Sequence, residues 1–148
     1  MKKLLIIFLI LQGLFSFSQS PSVTSFLINQ NFINKGFDKN HQPKYQADSV
    51  CVAGLISFDQ PITEIQEVYF KLGSSQDSDD ALNKLITVTQ QGNKTYINYD
   101  GNTYPIGYGK SILFSFILKK NENMEWCTVS FKNKDNITSS KSYKKIDK

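Results

Sequence analysis

Ser111-Ile112-Leu113-Phe114-Ser115-Phe116-Ile117-Leu118 decides the fold. Ile112, Phe114, Phe116 and Leu118 recur at every second position, and a period of two sets them on one face of a β-strand. Working outward, residues 125–131 repeat the pattern, with Cys127, Val129 and Phe131 on one face. Residues 62–72 do the same with Val68, Phe70 and Leu72, while Glu67, Tyr69 and Lys71 take the other face. Residues 47–58 alternate Cys51, Ala53 and Leu55 against Val52, Ile56 and Phe58. Shorter runs at 22–29, 82–89, 94–99 and 103–106, with a closing run at 137–146, complete the set.

Turn signals separate these runs. Asp100-Gly101-Asn102 is the strongest, because Asp-Gly supplies positive φ angles cheaply. Gln91-Gly92-Asn93 and Asn133-Lys134-Asp135-Asn136 mark two more, and Gln60-Pro61 stops the second strand. Residues 30–46 form a polar stretch interrupted by Phe32, Ile33 and Phe37, with Asn34-Lys35-Gly36 as a turn inside it. A spacing of three or four is nowhere sustained, although residues 78–85 leave room for one helical turn. These nine short runs at regular spacing imply a single all-β domain, a sandwich of about seven or eight strands or a small barrel.

The N-terminus carries different information. Lys2 and Lys3 precede an apolar run at 4–11, which Leu14 and Phe15 extend. Ser16-Phe17-Ser18 then puts small residues at the −3 and −1 positions of a cleavage site. Residues 1–18 therefore read as a secretory signal peptide cut between Ser18 and Gln19, with Ser20 as the alternative. The run is shorter than the roughly 20 residues of a comfortable membrane span. Residues 19–148 would be the exported domain, in the periplasm or outside the cell.

Charge excludes one class of partner. All 17 basic residues are lysine, so the bidentate guanidinium fork that grips phosphates is absent. The net charge is +4, and losing Lys2 and Lys3 leaves +2. That is too little for a nucleic-acid binder. The charge is uneven: residues 59–100 hold seven acids and three lysines, whereas residues 132–148 hold six lysines and two acids. A basic tail of this kind reads as a solvated end.

Val68-Tyr69-Phe70-Lys71-Leu72-Gly73, the following Ser/Asp loop, Tyr99-Asp100-Gly101-Asn102 and Val129-Ser130-Phe131-Lys132-Asn133 together resemble immunoglobulin-like and fibronectin-III-like sandwiches. The whole chain looks like short secreted proteins of the Bacteroidota that have no assigned function. The resemblance implies an antiparallel sandwich and carries no functional residues with it. It also bears on the two cysteines, Cys51 and Cys127. Export and an even count favour pairing. In immunoglobulin-like domains the second and penultimate strands face each other across the core. A Cys51–Cys127 disulfide is the expectation, closing a loop of about 76 residues worth roughly 4 kcal/mol.

Three groups are candidate sites. Tyr96, Tyr99, Tyr104 and Tyr108 cluster around one hairpin, and aromatic faces can stack on sugar rings; tyrosines also simply fit strands. Asp77, Asp79 and Asp80 are the densest acidic cluster and a possible start of a calcium site, although the spacing is not that of an EF-hand. His41, the only histidine, stands in the polar stretch with no local partner. No nucleophile elbow, zinc motif or phosphate loop occurs. The reading is a secreted, non-catalytic binding or structural module, with a cell-envelope or extracellular glycan or protein as partner. A carbohydrate-binding accessory module is the alternative and a small hydrolase the third reading. A polar pocket with convergent titratable groups would mark an enzyme, two coplanar exposed tyrosines a sugar binder, and an exposed strand edge a structural or adhesive module.

Overall fold

The computed structural model describes residues 20–107, 109–120 and 124–148. The leader expected at 1–18, its cleavage site and Tyr108 lie outside the described residues. Nine strands follow in chain order: β1 (Val23–Phe37), β2 (Pro43–Phe58), β3 (Ile65–Gly73), β4 (Leu82–Gln91), β5 (Lys94–Tyr99), β6 (Asn102–Ile106), β7 (Ser111–Lys119), β8 (Trp126–Asn133) and β9 (Ser142–Lys145). Among the described residues the one helical element is a 3-10 turn at Ile62–Glu64, just before β3. Residues 78–85 instead hold turns and the start of β4, where Asn83, Leu85 and Thr87 alternate with Lys84 and Ile86.

The strands form two antiparallel sheets. The small sheet has the order β1-β2-β7, the large one β6-β5-β4-β3-β8-β9. Lettered as an immunoglobulin domain, β1, β2 and β7 take the places of strands A, B and E, and β3, β8 and β9 those of C, F and G. β4, β5 and β6 extend the second sheet on its C side, as the extra strands of variable-type domains do. Among the described residues no strand takes the place of D, beside β7.

Period-two burial builds the core. Val50, Val52, Ile56 and Phe58 of β2 and Ile112, Phe114, Phe116 and Leu118 of β7 point inward from the small sheet. Val68, Phe70 and Leu72 of β3 and Cys127, Val129 and Phe131 of β8 point inward from the large one. Rings join the layers: Phe70 lies 4.6 Å from Phe114 and 5.4 Å from Phe116, and Phe58 meets Phe131 edge-on at 4.8 Å, all between centroids. Such pairs add about 0.5–1.5 kcal/mol each beyond the area they bury.

Two segments depart from the expectation. Residues 30–46 are not a loop: β1 and β2 run on past the end of β7 as a two-stranded arm. Gly36, at φ +99°, is part of β1, and Asn34 Oδ1 accepts its amide at 2.7 Å. Asn34-Lys35-Gly36 is thus a strand irregularity, and the chain reverses at 38–42. There Asp38 Oδ1 accepts the amides of Asn40 and Gln42 at 2.8 and 2.9 Å. The basic tail is not a free end either. Ile146 is buried, and Asp147 bonds to β1, donating to Ile28 O and accepting from Gln30 N.

Candidate functional site

The tyrosine hairpin divides between two faces. Thr95 and Ile97 point to the core, so Tyr99 shares their face and Tyr96 takes the opposite one. Tyr104 pairs with Ile97 across the β5–β6 ladder and joins Tyr99 on the inner face. The Tyr99 and Tyr104 rings stack at 4.9 Å and 26°, and Tyr99 also meets Phe116 edge-on at 5.4 Å. Burial pushes the Tyr99 phenol above its ordinary value, and a backbone hydrogen bond at Ser115 opposes that. A bond that favours the phenolate is one in which the Ser115 amide donates. The ring faces of this pair are thus turned on each other and on the core.

Tyr99 and Tyr104 line one wall of a groove of about 550 Å³ between β5–β6 and β7. Ile106 and Pro105 continue that wall, and Leu113, Phe114 and Ser115 form the other. Among the described residues no charged side chain lines it. The groove exists because six strands lie over three. At roughly 4.8 Å per strand the large sheet overhangs the small one by about 14 Å. Tyr99 and Tyr104 cover part of that overhang beside β7.

The outer face of the small sheet is unusual in a second way. Strand register sets Leu27, Leu55 and Leu113 in one row, then Asn29, Ala53 and Ser115, then Asn31, Cys51 and Ile117. Ser25, Ser57 and Ser111 border it. No charge occurs in these four rows. Leu113 is 73% exposed, Ile117 67% and Leu27 56%. Sequence reasoning missed this surface. The signal was available: residues 112–114 and 116–118 are apolar on both faces of a strand that can bury only one.

The cysteines correct the disulfide expectation. Both are free. Val50 and Val52 point inward, so Cys51 between them points out, and its Sγ lies 3.2 Å from Ser115 Oγ. Cys127 is fully buried on the inner face of β8. The two thiols lie on opposite sides of the small sheet's backbone, where no rotamer joins them. Burial pushes the Cys127 thiol up to about 12.

Asp77 is drawn away from the other acids. Lys141 Nζ donates to its Oδ1 at 2.6 Å, and Tyr143 OH donates to its Oδ2 at 2.8 Å. Those bonds, the lysine's first, hold its carboxyl below the ordinary value. Asp79 and Asp80 stay in the exposed turn. Among the described residues no three His, Cys, Asp or Glu side chains converge as metal ligands would. A shallow hollow of about 300 Å³ on the large sheet's outer face includes Tyr69, Lys71, Asp77 and Lys141. On that face the Tyr69 hydroxyl donates to Glu67, whereas Lys84, opposite Phe70 on the inner face, sets its Nζ 5.6 Å from the Phe116 ring centroid and 2.6 Å from Asp100 Oδ1. His41 stands at the arm's tip with φ +58°, exposed.

Comparison with protein-family models, curated proteins and solved structures gives no match. Among the described residues no helix is long and apolar enough to cross a membrane.

Proposed function

We propose that this chain is an exported, non-catalytic binding module that docks on another protein through the small sheet. The observation that carries the reading is the uncharged outer face of β1, β2 and β7, with Leu27, Leu113 and Ile117 more than half exposed. Water-facing strand positions ordinarily carry polar or charged groups, and clustered apolar exposure marks a contact surface. The groove with its open strand edge adjoins this face, and the arm extends the same sheet with Phe32, Phe37 and Tyr45 exposed. A carbohydrate platform fits less well, because Tyr99 and Tyr104 stack on each other.

A photoreactive residue placed at Leu113 in the producing cell tests the reading. It should yield covalent adducts with another polypeptide, whereas the same group at Ser130, on the large sheet's outer face, should not. Equal adducts from both positions would remove the assignment of the surface. Hydrolysis of a glycan, peptide or ester by the purified domain, lost on one Asp or Glu substitution, would overturn the non-catalytic reading.

A further inference from the structure

The four sheet edges are not alike. Edge strands expose unpaired backbone groups, and proteins blunt them with proline, lysine, shortness or a cover. β6 is five residues long and contains Pro105, which has no amide hydrogen to offer. β9 is four residues long and carries Lys144 and Lys145. β1 is covered at its middle by Asp147, through Ile28 and Gln30. β7 has neither proline nor shortness, and its one cover among the described residues is the Tyr99 hydroxyl at Ser115. It is nine residues long, free of proline, and uncharged until Lys119.

The hydrogen-bonding parity of β7 is fixed at both ends. Lys110 O accepts from Phe58 N, and Lys120 N donates to Asp48 O. Even-numbered residues therefore turn their backbone groups to β2, and odd-numbered ones turn theirs away. Ser111, Leu113 and Ile117 have no backbone partner on that side among the described residues. Ser115, between them, meets only the Tyr99 hydroxyl. From Ser111 to Ser115 this row of donors and acceptors opens on the uncharged groove, in the place of strand D, and at Ile117 it opens on a second hollow of about 330 Å³ that Lys84 and Lys119 also line.

We infer that the free edge of β7 receives an extended segment of a partner protein as a fourth strand of the small sheet. The inference rests on the binding-module reading and names the partner's form. Beside residues 111–115 the groove sets its chemistry: a run without charges, its alternate apolar side chains turned toward Tyr99, Tyr104, Ile106 and Phe114. A charged side chain there would lose its hydration with no counter-charge in the lining to replace it. The other side of the added strand would continue the outer face beyond Leu113 and Ile117. Area decides against a second copy packed on that face alone. Three strands by nine residues span roughly 400 Å², about half of the ~800 Å² per partner of a specific interface. Backbone pairing supplies what the area lacks, and alternate side chains supply selectivity.

The test is amide exchange followed by NMR on the purified domain. The probe is a nine-residue peptide, Lys-Thr-Val-Thr-Val-Thr-Val-Thr-Lys, blocked at both ends and present at millimolar concentration. Exchange at Leu113 and Ile117 should slow by about tenfold or more, with little change at the β2-bonded amides of Phe114 and Phe116. The same peptide N-methylated at every residue, which blocks both of its edges, should protect neither amide, and that control leaves the protein untouched. Leu113→Pro, which removes an outward amide only, should abolish the protection at Ile117. Unchanged exchange with the plain peptide overturns strand addition. So does protection that rises with protein concentration alone, which would assign the edge to a second copy. Adducts from Leu113 in the cell would survive either failure, because they require only a side-chain contact.

Discussion

At the scale of single residues, one step of parity separates a buried group from a reactive one. Cys127 is an inward position of β8 and Cys51 an outward position of β2. Alkylating reagents attack the thiolate, and burial holds the Cys127 thiol protonated well above neutral pH, at about 12. Iodoacetamide on the folded protein at pH 8 should therefore add one group, at Cys51, and a second only after denaturation. An intact mass two hydrogens short of the dithiol, or equal labelling of both sites in the native state, would contradict this placement. The alternation that places Cys51 was legible: it shares a face with Ala53 and Leu55, while the opposite face carries Val52, Ile56 and Phe58. Which face was the core was also legible from side-chain bulk. The resemblance to disulfide-bonded domains pointed the other way, because it gives the strands and not the parity within them. The tyrosines follow the same rule. Positions 96 and 99 are an odd number apart, so on one strand they cannot share a face.

At the scale of elements, β2 is the hinge of the small sheet, paired on both sides, and its weakest point sterically is Gly54. That residue lies inward, opposite Phe114 on β7 and Ile28 on β1. A Cβ there would stand 2.3 Å from Leu27 O and 2.7 Å from the Phe114 ring. Neither can yield freely, since one is backbone and the other is packed on Phe70. Gly54→Ala should cost about 1–3 kcal/mol, as overpacking in a dense core does, and lower Tm by several degrees. Gly107→Ala, with nothing within 4 Å, is the control and should leave Tm unchanged. Equal melting of both variants would mean that Phe114 packs differently. Most strand cores were readable because hydrophobic alternation is strong where one face is buried. Strand ends were not. β1 and β2 continue through residues 33–49, none of which is buried, so no alternation marks them. Their pairing rests on backbone bonds and on the reversal at Asp38, and neither leaves a hydrophobic trace in sequence.

At the scale of the whole molecule, the arm and the overhang are two departures from economy in a small domain. Each ordered residue costs roughly 1–2 kcal/mol of backbone entropy, and the arm returns little of that by burial. Phe32 and Tyr45 pack on each other at 5.6 Å but stay 60% and 54% exposed. The core draws on β1 no further than Ile28 and on β2 from Val50 onward, and none of its residues belongs to the arm. Stability therefore does not account for the arm, and its removal should show that. Replacing residues 34–48 with Asn-Gly joins Ile33 to Ser49 by a two-residue hairpin turn in the register that pairs Phe32 with Val50. The shortened protein should keep its strand spectrum and melt within a few degrees of the parent, since the retained residues lose only the Lys120 amide's partner and the side-chain contacts of Ser49 with Gln46 and Asp48 and of Phe32 with Tyr45. It should also keep strand addition at β7, because that strand pairs with residues 49–57 and with nothing in the arm. A loss of ten degrees or more, measured by circular dichroism, would make the arm part of the folding unit and remove it from the contact surface. Retained stability with fewer adducts from Leu113 in the cell would place the arm on the partner's path, continuous with the uncharged face that leads to it.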